Sequence, residues 1–186
     1  MKLLAFVGSP RKEGNTAVLV HEIVKAAQRQ GAETAIIYVN DLTMRGCQAC
    51  MGCKKKGRCV LKDDMAPIYD QIIAADAVVL ASPMYMGCMT GQLKLFIDRM
   101  YPFLNLNLTS NLPKGKKAAL VFTQGQPDTE TYNLYFQSVM GFLKCLGFSV
   151  CENVLVGAGV QEPGAIAQNA ATMQAARALA RQLCGG

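Results

Sequence analysis

The stretch KLLAFVGSPRKEGNT, residues 2–16, predicts how the fold begins. After Lys2 it runs through five apolar residues, which is typical of a strand that is buried on both faces. Gly8 ends this run, and residues 15–30 then place their apolar side chains at helical spacing, with Gly31 as the terminator. The stretch therefore predicts a strand, a loop bounded by glycines and a helix, which is the repeating unit of an α/β fold.

The same alternation continues along the chain. We predict further strands at 34–39, 77–81, 117–123 and 149–156, and further helices at 67–75, 91–101, 128–146 and 164–184. Because the strands are apolar throughout rather than alternating, they indicate a parallel sheet that is covered on both faces. The expected fold class is therefore α/β, with a doubly wound five-stranded parallel sheet in the order 2-1-3-4-5 and helices on both faces.

Length and composition limit the classes of protein to which this chain can belong. A chain of 186 residues can bury enough surface to hold a core without disulfides, and 51% hydrophobic with 17% charged residues excludes a disordered chain. Every apolar run falls short of the roughly 18 residues of a membrane span, and the N-terminal run is too short for a secretory signal. We expect a single cytoplasmic domain over residues 1–186, with a Cys-rich insertion at about 45–62.

The net charge of +6 comes from one segment. Six of the nineteen basic residues and no acidic ones lie between Arg45 and Lys62, which leaves thirteen basic against thirteen acidic residues elsewhere. A basic surface spread over the whole fold, as nucleic-acid binding favours, is therefore excluded. We expect neither nucleic acid nor a membrane as a partner.

The loop between the first strand and the first helix has the chemistry of a phosphate site. Such a junction presents unpaired backbone N–H groups and the positive end of a helix dipole to an anion. Side-chain donors and cations are added by Ser9, Arg11, Lys12, Asn15 and Thr16. The loop matches neither the ATP-hydrolysing P-loop nor the dinucleotide pattern, so it favours a mononucleotide phosphate. A plain capped turn is the alternative.

A second loop, SPMYMGCMTG at residues 82–91, follows the third strand. In the predicted strand order, strands one and three flank the switch point where open α/β sheets bind ligands. Pro83 and Gly87 make the backbone irregular, and large polarizable side chains flank them, so the loop can border a flat heteroaromatic ring. A loop whose methionines only pack into the core is the alternative.

Together, the two loops resemble those of the flavodoxin-like NAD(P)H-dependent FMN reductases. The matching patterns are GSPRxxGNT after the first strand and, from Ser82 to Arg99, SPxYxxxxxGxLKxxxDR. The resemblance implies that the FMN phosphate is held by Ser9, Arg11, Asn15, Thr16 and the Ala17 backbone. It implies that the isoalloxazine ring is bordered by Pro83, Met84, Tyr85, Met86 and Gly87. It also implies a third contact from Thr123, Gln124 and Gly125. Relatives often carry an aromatic residue at the position of Met86, so a softer thioether contact is expected here.

Four of the eight cysteines lie in the basic segment, with the spacing Cys47-x2-Cys50-x2-Cys53-x5-Cys59. Four thiolates so close in sequence are enough for all four corners of a [4Fe–4S] cluster, and the surrounding cations are expected to stabilise them. This spacing, after the second strand of an FMN-binding domain, resembles the iron–sulfur flavoproteins. A zinc site, redox-active disulfides and a vacant site are the alternatives. Cys88, Cys145, Cys151 and Cys184 are expected to be packing residues.

The resemblance implies an FMN-dependent oxidoreductase of the iron–sulfur flavoprotein type. Its electrons would come from NAD(P)H as a co-substrate or from a ferredoxin-like donor, and would pass to a small acceptor; a homodimer or homotetramer is also implied. The run Lys54–Lys56 is either a solvated loop or a positively charged site. In the second case it would attract NADPH or an acidic ferredoxin-like donor. No catalytic side chain is expected, because the hydride chemistry belongs to the flavin. A flavodoxin-like electron carrier and a flavin-free metal-binding module are the alternatives.

Overall fold

A parallel sheet forms the centre of the molecule in the computed structural model, which describes residues 1–185. Its strands are β1 (Lys2–Val7), β2 (Glu33–Tyr38), β3 (Ala77–Pro83), β4 (Lys117–Thr123), β5 (Ser149–Val150) and β6 (Leu155–Gly157). They are arranged in the order β2-β1-β3-β4-β5, and β6 pairs with β4 next to β5. The predicted α/β class and the strand order 2-1-3-4-5 are confirmed.

The fifth predicted strand is divided into two short pieces. β5 pairs with residues 117–118 of β4, and β6 pairs with residues 121–123. Between them, Glu152 and Asn153 interrupt the apolar pattern and are exposed. Because this strand lies at the edge of the sheet, only one side of it is tied to a neighbour, and polar residues can leave the ladder for water. The prediction of one strand over 149–156 was wrong in this detail.

Six helices cover the sheet: α1 (Asn15–Gln28), α2 (Gly52–Lys56), α3 (Met65–Ala74), α4 (Gly91–Asp98), α5 (Asn133–Cys145) and α6 (Ala170–Cys184). Single 3₁₀ turns occur at Val39–Asp41, Tyr101–Phe103 and Ala165–Gln168. The predicted starts of the last two helices were too early. For α6 the reason is Asn169, whose side chain accepts a hydrogen bond from the Thr172 N–H at 3.0 Å and caps the helix there. Within residues 1–185, no helix combines the length and the apolar character needed to cross a bilayer.

Two apolar layers hold the helices against the sheet. Alternate residues of β1 point to opposite faces, so that Leu4 and Phe6 join one layer while Leu3, Ala5 and Val7 join the other. The first layer is completed by α3, α4 and α5, and the second by α1 and α6. With both faces covered, the loops at the carboxyl ends of the strands are left as the place where polar groups gather.

Candidate functional site

Four loops meet at the carboxyl edge of the sheet and enclose one cavity. They follow β1, β3, β4 and β6, and the lining residues are Ser9, Arg11, Gly14, Asn15, Thr16, Pro83, Met84, Tyr85, Thr123, Gln124, Gly125, Val160, Gln161 and Pro163. All three groups of residues that the sequence predicts for one site are therefore brought together here. The fourth loop, at 160–163, was missed, because it carries no recognisable pattern. Of the predicted residues, Ala17, Met86 and Gly87 lie outside the lining.

The N-terminus of α1 opens towards this cavity without a side-chain cap. Gly14 precedes the helix, and no side chain caps it there. Helix geometry leaves the N–H groups of Asn15, Thr16 and Ala17 without intrahelical acceptors. The Ser9 hydroxyl orders the preceding loop by accepting the Arg11 N–H at 3.1 Å. Unpaired N–H groups and the positive end of a 14-residue helix form an anion site.

Only one of the two cations in this loop lines the cavity. Lys12 forms an ion pair with Asp41 at 2.7 Å and lies 5.5 Å from the centre of the Tyr38 ring. The hydrogen bond to Asp41 raises the pKa of Lys12. Arg11 is exposed and lines the cavity. The positive charge available to an anion is therefore that of Arg11.

The side chains of Asn15 and Thr16 are engaged within the protein. The Asn15 amide donates to the Glu162 carbonyl at 2.9 Å and accepts from the Ile166 N–H at 3.0 Å, which ties the fourth loop to α1. The Thr16 hydroxyl bonds the Thr123 hydroxyl at 2.6 Å in a buried position. These two residues therefore offer an anion their backbone N–H groups, while their side chains position the loops.

Gln124 contributes a buried acceptor that has no partner. Its side-chain nitrogen donates to the carbonyls of Gln126 and Asp128 at 3.3 and 2.7 Å. The residue is only 3% exposed, and its Oε1 makes no hydrogen bond within residues 1–185. A buried acceptor without a donor is rare in folded proteins. Gln124 lines the cavity, so a ligand bound there would lie beside a residue with an unused acceptor.

The loop after β3 is tied to the loop after β1 by Thr90. Its hydroxyl donates to the Gly8 carbonyl at 2.7 Å and accepts the Leu93 N–H at 3.3 Å, which caps α4. Its own N–H donates to the Ser82 hydroxyl at 2.9 Å. All of these groups are buried. The two loops that the sequence predicts separately are therefore held as one unit by a threonine that was not among the predicted site residues.

Gly8→Ala is expected to lower the free energy of unfolding by about 1–3 kcal/mol, as overpacking does. A Cβ at this position would lie 2.6 Å from the Leu93 Cβ, so α4 and the loop would have to separate. Gly91→Ala is the matched control, because a Cβ there meets nothing within 4 Å. Urea unfolding checks both variants, and equal stability of Gly8→Ala and the parent chain would contradict the close contact.

Met86 and Gly87 form the tip of a tight turn beside the cavity. Tyr85 and Cys88 exchange both backbone hydrogen bonds, at 2.8 and 3.0 Å. The φ angles of Met86 and Gly87 are 49° and 80°, as in a two-residue turn with both central residues left-handed. The Met86 side chain is fully exposed at this tip. A non-glycine residue rarely adopts such a conformation, so an apolar side chain is displayed here at a conformational cost.

The four clustered cysteines line a second cavity. Cys47, Cys50, Cys53 and Cys59 share it with Arg99, Tyr101 and their neighbours. Left-handed backbone at Ala49 and Met51, with φ of 50° and 58°, bends the chain tightly around it. All eight cysteines are free thiols. Within residues 1–185, no three Cys, His, Asp or Glu side chains converge closely enough to share a single ion.

At Cys53, the expected stabilisation of the thiolate by a neighbouring cation is present but is outweighed by burial. Burial raises the pKa of the Cys53 thiol, Lys54 opposes this rise, and Cys59 and Cys47 add to it. Lys54 is held elsewhere: it donates to the carbonyls of Tyr101, at 2.7 Å, and Leu104, and its ammonium lies 3.5 Å from the centre of the Tyr101 ring. Desolvation therefore outweighs the basic segment at Cys53.

The cysteine loop is closed at its base by a buried ion pair. The Arg99 guanidinium donates to both carboxylate oxygens of Asp63, at 2.6 and 2.9 Å, and to the Arg45 carbonyl at 2.6 Å. Asp63 also accepts the Arg45 and Met65 N–H groups, each at 3.2 Å. These contacts join the start and the end of the loop to the C-terminus of α4. Sequence reasoning missed this pair, although Arg99 ends the second matching pattern.

Of the four cysteines expected to be packing residues, Cys88 and Cys145 are exposed. That expectation was wrong for these two, because Cys88 lies in the turn that displays Met86 and Cys145 falls on the outer side of α5. Cys151 and Cys184 are half-buried and pack against the layer formed with α1 and α6. The cysteines outside the cluster therefore do not share one environment.

Known proteins with related sequences include two archaeal iron–sulfur flavoproteins. One from Methanocaldococcus jannaschii is 40% identical over 102 residues, which cover 55% of this chain and 53% of that protein. One from Methanosarcina thermophila is 36% identical over 99 residues, which cover 53% of this chain and 52% of that protein. The chain thus matches about half the length of these curated relatives.

The fold is shared with solved structures of low sequence identity. A NAD(P)H:quinone oxidoreductase from Methanothermobacter marburgensis has a TM-score of 0.75 at 16% identity, with 98% of this chain and 96% of that chain covered. An FMN-dependent NADH-azoreductase from Bacillus anthracis, in complex with FMN, has a TM-score of 0.67 at 12% identity, with both chains fully covered. A family model described as NADPH-dependent FMN reductase matches residues 1–146. The chain therefore belongs to the NADPH-dependent FMN reductase family.

Proposed function

We propose that this chain is an FMN-dependent oxidoreductase of the iron–sulfur flavoprotein type. FMN is assigned to the four-loop cavity, and an iron–sulfur cluster to the cavity lined by the four cysteines. The observation that carries the proposal is the composition of the first cavity, which joins an uncapped helix N-terminus and Arg11 to the unpartnered Oε1 of Gln124. A ligand that complements this cavity carries an anionic group at one end and hydrogen-bond donors at the other, as a phosphorylated ligand such as FMN does.

The residues of the four-loop cavity fit FMN part by part. The phosphate would be held by Ser9, Arg11 and the N–H groups of Asn15, Thr16 and Ala17. Gln124 would accept a hydrogen bond from the cofactor, beside Thr123 and Gly125. The isoalloxazine ring would lie against Pro83, Met84 and Tyr85, with the turn of Met86 and Gly87 at its edge. When bound, FMN supplies hydride and one-electron chemistry, and the chain supplies binding and orientation.

The cysteine cavity fits a four-iron cluster better than a single zinc ion. In a [4Fe–4S] cluster each thiolate of Cys47, Cys50, Cys53 and Cys59 binds a different iron, so the sulfur atoms must surround a space. A structural zinc site needs all four sulfur atoms about 2.3 Å from one ion. The compact spacing Cys-x2-Cys-x2-Cys-x5-Cys differs from the two separated pairs that are usual for structural zinc, and together with the shared cavity it supports the first arrangement. The names of the related iron–sulfur flavoproteins point the same way.

We propose NAD(P)H or an acidic ferredoxin-like protein as the electron donor, and a small molecule as the acceptor. The exposed cations Lys55, Lys56 and Lys62 support an acidic donor near the cysteines, since Lys54 is engaged internally. A homodimer or homotetramer in the cytoplasm is part of the proposal. The exposed apolar side chains of Met86 and Leu134 support a second copy, and the free thiols suit a reducing compartment.

We also propose that residues 1–186 form a single domain, with the Cys-rich segment at about 45–62 as an insertion. The support is the closed base of that segment. Asp63 and Arg45 are joined there through Arg99, so the chain leaves and re-enters the domain at nearly the same place.

Anaerobic purification followed by an absorption spectrum, iron and sulfide analysis, and NADH and NADPH oxidation assays tests the function. We expect flavin bands, about four irons per chain and turnover with a nicotinamide. A colourless protein that refuses added FMN would overturn the proposal. Flavin without iron would reduce it to a plain FMN reductase, and bound flavin without nicotinamide turnover would favour an electron carrier.

A further inference from the structure

The buried guanidinium of Arg99 has more hydrogen-bonding capacity than its ion pair uses. Arg99 is 1% exposed. Arginine is almost never fully buried unless it is paired, and here the partner is Asp63. Its two terminal nitrogens are taken by Asp63 and the Arg45 carbonyl. Its Nε is buried and makes no hydrogen bond within residues 1–185. A buried, charged donor left unpaired is unfavourable, so an acceptor is expected beside it.

The surroundings of Arg99 show which chemistry that acceptor has. Arg99 lines the cavity of the four cysteines. Its backbone carbonyl accepts the Tyr69 hydroxyl at 2.8 Å. Cys59 lines the same cavity as Arg99 and packs against the apolar layer that contains Tyr69, so a thiol is present beside these residues. The acceptors that an occupied cysteine cavity would offer are therefore sulfur atoms.

We infer that Arg99 is a positioning residue of the cysteine site, which closes the base of the Cys loop through Asp63 and donates its Nε–H to a sulfur atom of the bound cluster. The second role rests on the proposed function, whereas the first does not. Closing the base keeps the four thiols around one cavity before any iron arrives. Donation to sulfur withdraws negative charge from the cluster, and hydrogen bonds of this kind are among the factors that set reduction potentials.

Arg99→Lys tests the inference, with Arg58→Lys as the matched control. Lysine keeps the positive charge beside Asp63 but removes the fork and the Nε–H. Arg58 lies in the same loop, and its ion pair with Asp70 at 3.0 Å is exposed. Each full-length chain is reconstituted anaerobically with iron(II) and sulfide. Iron content, the rate of iron loss to a chelator and the midpoint potential are measured, and the iron-free chains are digested with trypsin at Lys55 and Lys56.

We expect Arg99→Lys to lose iron at least tenfold faster than the parent chain, to shift the midpoint potential to a more negative value, and to be cut at least tenfold faster when iron-free. Arg58→Lys should match the parent chain in all three. Iron retention and potential equal to those of the parent would overturn the sulfur-donor role, and equal cleavage would overturn the closing role. A structural ion pair alone would change cleavage and iron loss but not the potential.

Two further outcomes are possible: Arg99→Lys does not fold, or the parent chain takes up no iron. If Arg99→Lys does not fold, the double variant Asp63→Asn/Arg99→Gln replaces it, because a neutral pair leaves no buried charge unpaired. The double variant should show the same faster iron loss and cleavage, and parent-like values would overturn the inference. If the parent chain itself takes up no iron, the proposed cluster and the sulfur-donor role fail together, and the trypsin rates alone decide whether Arg99 closes the loop.

Discussion

Asp63→Asn is expected to lower the free energy of unfolding by about 3–5 kcal/mol, the usual cost of removing one partner from a buried ion pair. The carboxylate is 10% exposed and Arg99 is 1% exposed, so the guanidinium would keep its charge with little access to water. The same change weakens the acceptor for the Arg45 and Met65 N–H groups. For a chain of this size, the loss corresponds to a fall in Tm of about 6–20 °C.

Asp70→Asn is the control for this effect. It removes the ion pair of Asp70 with Arg58, whose side chains are 69% and 53% exposed. Exposed pairs of this kind contribute about 0–1 kcal/mol, so the control should unfold almost as the parent chain does. Denaturant and thermal unfolding of both variants measure the difference. Similar losses in the two variants would show that the buried pair is no stronger than a surface pair.

The stabilisation by Asp63 should also depend on pH. Hydrogen bonds from Arg99 lower the pKa of Asp63, against the opposing effect of burial. An unfolded aspartate takes up a proton near pH 4, above the folded pKa. The stabilisation is therefore complete above about pH 4 and is lost as the pH falls through the folded pKa. The gap in unfolding free energy between parent and Asp63→Asn should shrink from pH 6 to pH 3, and a constant gap would contradict the depressed pKa.

Arg11→Gln is expected to weaken FMN binding by about 10- to 100-fold, which is the loss of one charge-assisted hydrogen bond to the phosphate. Arg11 is the cation of its loop that lines the four-loop cavity. In the proposed site, the remaining phosphate contacts would come from backbone N–H groups at the N-terminus of α1, which the substitution leaves intact. Titration of the apoprotein by flavin fluorescence measures the dissociation constant. Added salt should reduce the difference between the variants, because Arg11 is exposed to solvent.

Two controls make the assignment of Arg11 specific. Lys12→Gln changes the neighbouring cation, which is paired with Asp41, and should leave FMN affinity nearly unchanged. Riboflavin has no phosphate, so its affinity should be the same in Arg11→Gln and in the parent chain. If both flavins weaken equally, Arg11 would act on the shape of the loop and not on the phosphate.

The local patterns in this sequence were sufficient for most of the fold. Local sequence is enough to recognise the apolar run of β1, the glycines of its loop and the helical period of α1. Each of these patterns is set by residues within about ten positions of each other, so the rest of the chain is not needed. The boundaries were less accurate where a single polar contact decides them. Asn169 delays the start of α6, and Glu152 with Asn153 divides the edge strand, because a cap or a solvated polar pair outweighs a weak periodic signal.

By itself, the sequence determined the α/β class, the strand order, the three predicted loops that meet in one cavity and the four thiols that line another. Only the tertiary structure decided which polar groups in and beside those cavities are already engaged within the protein. Asn15 is engaged by residues about 150 positions away, Lys54 is held by the 101–104 segment, and Asp63 meets Arg99 across 36 positions. The physical reason is that a polar side chain forms its hydrogen bonds with whatever groups the packed fold brings near, and leaving a buried one unpaired is costly.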